Sequence, residues 1–584
     1  MFSKYYQSEL TYLRELGRAF ALANPAIAGL LAERGGDPDV ERLLEGFAFL
    51  TARVRERIDD SVPEIVQSLA QLILPQYLRT LPAAAIVELS PIMNALRGRQ
   101  RVPRGTELAA VPMEGTSCRF RTTADIDLVP LAIQDVVLDP SAAGLPVVRV
   151  QLQTTEPGRA LVLHQDGVRF FVQGELSVAS TLLLWFLKHC RKVTIKGASG
   201  RGRSVELPGS VVSAPAFDPA NAMLPWPDFA PAGYRLVQEY LTFPQKFLFF
   251  DVKGLDAALA DVLDDRIELA FQFDRPPDLP ARIGKDILRL HCAPVINLFR
   301  GSSDPIRRDP LQAEYLLRAA DVDPYHMEIY AVDAVVGLQA GRAERKTYHP
   351  FFAFTHALQG GSDQAYYRIR RTPSPVDDGI DTYLALVTPR DARPEAVEET
   401  LSLDIVCTNR SLPSKLRPGD ISVPTQSSPT TAKFKNITPV TKPIRPPLGS
   451  ELHWRLLSHL AIGHRSLADA AVLRAVLDVY NFHALAEHQV GRTNRLRIEA
   501  IQNVTSRPIT RLLGNTPVRG VQTTVEIEES NFAGRGDAFV FGSVIEELFA
   551  AHVTMNSFNE LLVRLQPSQS EYRWPARNGR VALL

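Results

Sequence analysis

The chain has 584 residues, a length that suggests about four domains. Apolar residues make up 45% and charged residues 22%, an ordinary globular balance, and Lys+Arg equals Asp+Glu at 65 each. The zero net charge argues against a nucleic-acid binder, which carries a basic excess, and it favours association with other chains.

The first segment spaces Phe2, Tyr5, Tyr6, Leu13, Leu16 and Phe20 on one face of a helix, which Asn24-Pro25 ends or kinks. A second helix starts at Asp37-Pro38, with Asp37 as N-cap and Pro38 in the first turn. Val40, Leu43, Leu44, Phe47, Val54 and Ile58 form its expected buried stripe, and Glu41, Arg42, Glu45, Arg53, Glu56 and Arg57 its polar face. A third helix runs from near Pro63 to just before Pro75. Part of these stripes is available to a partner's helices in a bundle. The candidate partner-interface residues are Tyr5, Tyr6, Tyr12, Arg42, Glu45 and Arg53.

From about residue 82 the pattern turns to strands, clearest at Ala85–Leu89 and Val147–Leu152, with a helix expected over Ser180–Cys190. Lys246–Val252 reads as a strand apolar on both faces, the mark of burial between two layers. Arg307–Val406 is strand-rich again, clearest at Ile329–Val336 and Thr382–Val387. Residues 408–449 carry many Pro, Thr and Ser with little periodicity, and read as a linker or as an arm extended onto a neighbour.

Beyond residue 450 the chain reads as α/β. Ser450 caps a helix that turns Leu452, Leu456, Leu457 and Leu460 inward. Ser466 with Asp469 approximates a capping box for a longer helix through about Glu487. Val521–Glu528 alternates with period two; a helix with Phe541, Val544, Ile545, Leu548 and Phe549 on one side follows; Leu561, Val563 and Leu565 then mark another strand. The expected class is a multidomain α+β protein. Its parts are an N-terminal helical region (1–81), a β-rich domain with short helices (82–295), a second strand-rich domain (296–407), the linker or arm (408–449) and a C-terminal α/β domain (450–584).

Chemistry is sparse. Cys118, Cys190, Cys292 and Cys407 are scattered without a CxxC pair, which argues against zinc and against a disulfide framework. His453, His459 and His464 lie six and five residues apart, and His483 and His488 five, not the four a helical metal pair needs. Gly197–Gly202 lacks the Lys-Ser/Thr ending of a phosphate loop and reads as a surface turn, and Arg535-Gly536-Asp537 reads as a chance tripeptide within a turn. No cofactor or metal site and no enzymatic activity is expected. The start lacks an apolar signal region, and Leu182–Leu187 is too short to span a bilayer, so a soluble, cytoplasmic chain is expected.

Segments along nearly the whole chain resemble the TssF family, also called ImpG or VasA, of type VI secretion baseplate proteins. They are Tyr5-Tyr6, Glu9-Leu10 and Tyr12–Glu15; Asp37-Pro38, Val40–Glu45 and Phe47–Arg53; Tyr234–Leu236, Glu239-Tyr240, Phe243-Pro244 and Phe247; Pro294–Phe299 and Cys407–Arg410; Leu452–Leu457, Asn556–Phe558 and Trp574-Pro575. The resemblance implies a structural subunit of the baseplate wedge, with no catalytic residues to carry over. It implies assembly with TssG, more than one TssF copy per TssG, and with TssE and TssK around the VgrG hub. The platform so formed supports the Hcp tube and the TssB–TssC sheath and delivers effectors by contraction. It also implies self-association within the wedge, no direct membrane insertion, and docking on the inner-membrane secretion complex through baseplate partners. Repacking between domains would couple spike release to sheath contraction. The second reading is a wedge protein of another phage-tail-like contractile injection machine.

Overall fold

In the computed structural model, the described residues are 38–59, 74–140 apart from 93, 94 and 97, 145–155, 167–197, 203–262, 264–276, 283–309, 311–320, 322–339, 345–351, 365–374, 379–387, 399–448, 466–486, 488–513, 516–555 and 557–579. To these are added Tyr6, Leu10, Leu13, Gln67, Leu69, Ala70, Gln71, Leu279 and residues 455–457. The chain divides into two compact units, Met1–Leu78 with Pro447–Leu457, and Arg79–Pro446 with Ser458–Leu584. No helix among the described residues is long and apolar enough to cross a membrane.

In the smaller unit, helix α1 (Pro38–Asp59) forms where the spacing of the sequence puts it. Its packing differs from the expected stripe. Ala48 and Ala52 are fully buried, whereas Leu43 and Phe47 are 74% and 60% exposed. The small-residue face of α1 thus turns inward and the large apolar face is left outside. Leu44 is half-buried; the side chains of Val40, Val54 and Ile58 lie outside those described. Gln67 and Leu69–Gln71 are helical, and a 3₁₀ turn at Pro75–Leu78 follows. Residues 455–457 are helical with Leu456 buried, but Leu457 is 55% exposed rather than inward. Ser450, Leu452 and Leu460 lie outside the described residues.

The larger unit begins with three antiparallel sheets. The first runs in the order Ala432–Asn436, Ala84–Pro91, Cys292–Ile296, Thr116–Thr122, Glu107–Met113. The second runs Val205–Pro208, Cys190–Gly197, Arg266–Phe273, Val147–Thr154, Leu131–Asp139. The third runs Val212–Ser213, Phe249–Lys253, Gly167–Val172, Leu288–Leu290. Helix α2 (Leu176–Leu184) ends in a π turn at Trp185–His189, so the helical segment stops just before Cys190, which opens a strand. Phe186 of that turn stacks on Phe250 of the third sheet at 4.3 Å and meets Phe271 of the second edge-on at 4.9 Å. Phe249, Phe250 and Val252 of the Phe249–Lys253 strand are buried, whereas Asp251 is half-buried and Lys253 exposed, so the cover expected on both faces is complete only at its start. Lys246 and Phe247, expected within this strand, belong to a preceding 3₁₀ turn.

The linker reading of 408–449 is corrected. Leu412, Leu416, Ile421, Ala432 and Phe434 join the core of the first sheet with Leu89, Leu108 and Phe120. Ala432–Asn436 pairs with Ala84–Pro91. The Asn436 side chain bonds the backbone of Gly419, Ile421, Arg417 and Thr438. Side-chain amides and β-bridges replace the periodic pattern that a sequence reading depends on.

Inserted before this segment is a closed β-barrel. Around the ring stand Phe299–Ser302, Glu399–Thr408, Glu328–Gln339, Arg345–Pro350, Ala365–Pro373, Ile380–Val387 and Tyr315–Leu316. A bridge between Ser303 and Ala319, flanked by Asp304 N–H donating to Arg318 O at 3.0 Å and Ala320 N–H to Ser302 O at 2.9 Å, joins the last strand to the first. Closure removes the free edges. Val335, Leu384, Leu401, Leu403 and Cys407 fill the interior.

The C-terminal part pairs Ile501–Leu513 with Thr516–Glu528 antiparallel, and the latter with Phe558–Gln566 in parallel. The parallel pair is joined through helix α6 (Arg535–Ala550), as the strand–helix–strand pattern requires. Two further helices that pack here are α4 (Ala470–Val479) and α5 (His488–Glu499). Asp469, not Ser466, caps α4, accepting from Ala471 N at 2.7 Å and Val472 N at 3.1 Å. The expected long helix breaks after Val479, and the buried Asn481 side chain turns to Gly491 O at 3.2 Å.

Candidate assembly surfaces

The segment from Ala232 to Phe247 supplies helix α3 (Ala232–Thr242) and the 3₁₀ turn Pro244–Phe247. Glu239 is fully buried and accepts from Met223 N at 2.8 Å, from Leu224 N at 2.9 Å and from the Lys246 ammonium. Arg235 approaches the same carboxylate at 3.6 Å. Burial pulls the Lys246 pKa down, while Glu239 opposes the shift. At the next residue, the Tyr240 hydroxyl donates to Asp537 at 2.7 Å, and Arg497 donates to the other Asp537 oxygen at 3.2 and 2.9 Å. These contacts tie α3, α5 and α6 together.

Arg535–Asp537 is therefore the first turn of helix α6 rather than a tripeptide within a loop turn, with Gly536 and Asp537 buried. A Cβ on Gly536 would lie 2.1 Å from the Ser180 carbonyl carbon, so only glycine lets α6 approach α2 this closely. Sequence reading missed both buried charge groups. The clearest signal was Arg235 and Glu239 among the apolar residues of α3, and Asp537 at the start of the apolar α6.

The chemistry these groups offer is bracing. Each carboxylate is occupied by cations or backbone donors. A groove of about 450 Å³ carries Arg99–Asp127, Arg101–Asp125 and Arg169–Asp251 pairs. The hydrogen bond from Arg101 holds the Asp125 pKa down, so this carboxylate stays ionised. His291 in its wall accepts the Val129 N–H at 3.3 Å, and burial pulls its pKa to about 4. Burial pushes Cys118, Cys190 and Cys407 up to about 12, which makes them poor nucleophiles. Among the described residues, no group of three or more His, Cys, Asp or Glu is arranged to hold a metal.

The outer surfaces are more telling. On α1, Leu43, Phe47 and Leu50 recur at helical spacing and are 74%, 60% and 64% exposed. A contiguous apolar face of this kind marks an interaction site. Arg42, Glu45 and Arg53 are exposed on the same helix. Tyr6 is half-buried in a helical turn, and Tyr5 and Tyr12 lie outside the described residues. The structure brings Arg42, Glu45 and Arg53 onto one element.

A multidomain fold braced by buried ion pairs, with a large apolar helix face left outside, defines a structural component of a protein assembly. The sequence matches the family described as "Type VI secretion system, TssF" over residues 1–581. It is 30% identical to the type VI secretion system component TssF1 of Pseudomonas aeruginosa over 626 aligned positions, covering 99% of this chain and 98% of the relative. The fold superposes with TM-score 0.78 and 31% identity on a chain of the TssK-TssF-TssG baseplate subcomplex, covering 92% of this chain and 99% of that one. A chain of the type VI secretion baseplate complex gives TM-score 0.68 and 29% identity, with full coverage of both. The chain belongs to the TssF family, and it is a structural subunit of the type VI secretion baseplate.

Proposed function

We propose that the chain enters the baseplate wedge through α1, with Leu43, Phe47 and Leu50 seated against helices of a TssG-like chain. The observation that carries this reading is the exposed apolar face of α1 in a member of a baseplate family. Its flanking Arg42, Glu45 and Arg53 supply orientation, since rim charges set register more than affinity. More than one copy of the chain serves each TssG. TssK, which shares a solved subcomplex with a TssF chain, attaches to the same wedge, as does TssE. Six such wedges surround the VgrG hub, carry the Hcp tube and TssB–TssC sheath, and dock on the inner-membrane complex through other baseplate chains. The chain's work is mechanical support, not catalysis.

Co-expression with the TssG-like chain of the same bacterium, followed by size-exclusion chromatography with mass determination, tests the proposal. A stable complex with more than one copy of this chain is expected. A monomer that ignores the TssG-like chain would overturn it.

A further inference from the structure

The C-terminal sheet is not flush at its end. Ile501–Leu513 and Thr516–Glu528 pair along their whole length, but Phe558–Gln566 joins only from Val521 onward. The stretch Thr516–Gly520 and its partner strand thus run past the sheet as a two-stranded ribbon, about 17 Å at 3.4 Å per residue. The ribbon leaves the sheet over Phe558, whose ring would lie 2.5 Å from a Cβ on Gly520. A two-stranded ribbon has little stability of its own in water.

Its two faces differ. Cross-strand pairing puts Thr510 opposite Arg519 and Leu512 opposite Pro517 on one face. There Leu512 is 74% exposed, Pro517 and Arg519 are exposed, and Arg519 has no ion pair among the described residues. On the other face Arg507 donates to Gln522 at 2.7 Å and Arg511 pairs with the buried Glu560, which fixes the ribbon's pose. From Ala500 to Arg519 the sequence contains Arg507, Arg511 and Arg519 and no Asp or Glu. Strand addition to the outer edge is blunted, because Pro508 lacks an N–H and the arginines crowd that strand.

We propose that this ribbon is a docking arm, and that its Leu512–Pro517–Arg519 face fits an acidic patch with an apolar notch on the TssK–TssG part of the baseplate. This rests on the assembly reading above. A protein occupant suits the surface better than lipid: polybasic lipid binding takes a cluster of about 4–8 basic residues, and two of the three arginines here are engaged within the sheet.

The test uses the full chain and a Leu512→Asp/Arg519→Glu double variant, with a purified TssK–TssG complex of the same bacterium as probe. Both substituted side chains are exposed, so the unfolding midpoint of the free chain should not move. The expected result is at least tenfold weaker capture by the variant, and a shallower salt dependence than the wild type. Equal capture would overturn the docking arm. So would a change confined to self-association of the chain, or binding of wild type but not variant to phosphatidylglycerol vesicles. Failure of the wild type itself to capture the probe would sink the assembly reading instead.

Discussion

The Tyr240 hydroxyl donates to Asp537 across 2.7 Å, joining positions 297 residues apart in sequence. Arg497 donates to the same carboxylate, and all three side chains are buried. Breaking a buried pair from one side costs more than the pair contributes when intact, because the surviving charge is left without water. Asp537→Ala is expected to lower stability by about 3–5 kcal/mol, read as a drop in the urea midpoint of the free chain. An unchanged midpoint would mean that Arg497 finds water or another partner.

The neighbouring cluster makes an asymmetric prediction. Glu239 serves Met223 N, Leu224 N and Lys246 at once, whereas Lys246 gives up a single ion pair. Glu239→Leu should therefore destabilise more than Lys246→Met, since it orphans two backbone donors as well as two cations. Equal costs in thermal denaturation would refute the assignment of Glu239 as the common acceptor.

On α1 the two faces should respond in opposite ways. Leu43→Ser and Phe47→Ser alter exposed positions and should shift stability by no more than about 0.5 kcal/mol while abolishing capture of the TssG-like chain. Ala48→Leu adds volume at a fully buried position and should cost about 1–3 kcal/mol. Reversal of the two outcomes, in paired unfolding and pull-down assays, would invert the orientation of the helix.

Stability should also depend on pH through two buried groups of opposite sign. Burial holds His291 near 4, below its unfolded value of about 6.5, so the unfolded chain takes up the proton first. Its contribution is complete above pH 6.5 and is lost as pH falls toward 4, on the order of 3 kcal/mol. Burial pushes Glu546 up to about 7, against the pull of Arg577. That contribution is complete below the ordinary glutamate value and is lost as pH rises through 7. His291→Gln should flatten the acid limb of the stability profile and Glu546→Gln the neutral limb; a profile that neither variant alters would disprove both assignments.

Local pattern revealed elements better than it revealed their environment. The spacing of α1, the period-two run at Val521–Glu528 and the α6 stripe were legible, because one face of each must meet something apolar. What that something is was not legible: the Leu43–Phe47 face reads the same whether it meets its own core or another chain. Residues 408–449 were misread because Asn436 and short bridges hold them, and neither leaves a periodic trace. That Arg42, Glu45 and Arg53 are exposed on one helix was legible from charge on an amphipathic pattern. The basic ribbon could have been suspected from three arginines without an acid, but its overhang is a property of strand lengths that only pairing defines.

The pairing of Ala84–Pro91 with Ala432–Asn436 has a consequence for how the chain is made. The first sheet cannot be completed until residue 436 has left the ribosome, roughly 20–70 s after residue 84 at about 5–20 residues per second. Through that interval the Leu89–Phe120 core lacks Phe434 and Ile421, while the barrel between them already has all its strands once Thr408 is out. The unfinished sheet is the part of the nascent chain that chaperones would have to shield.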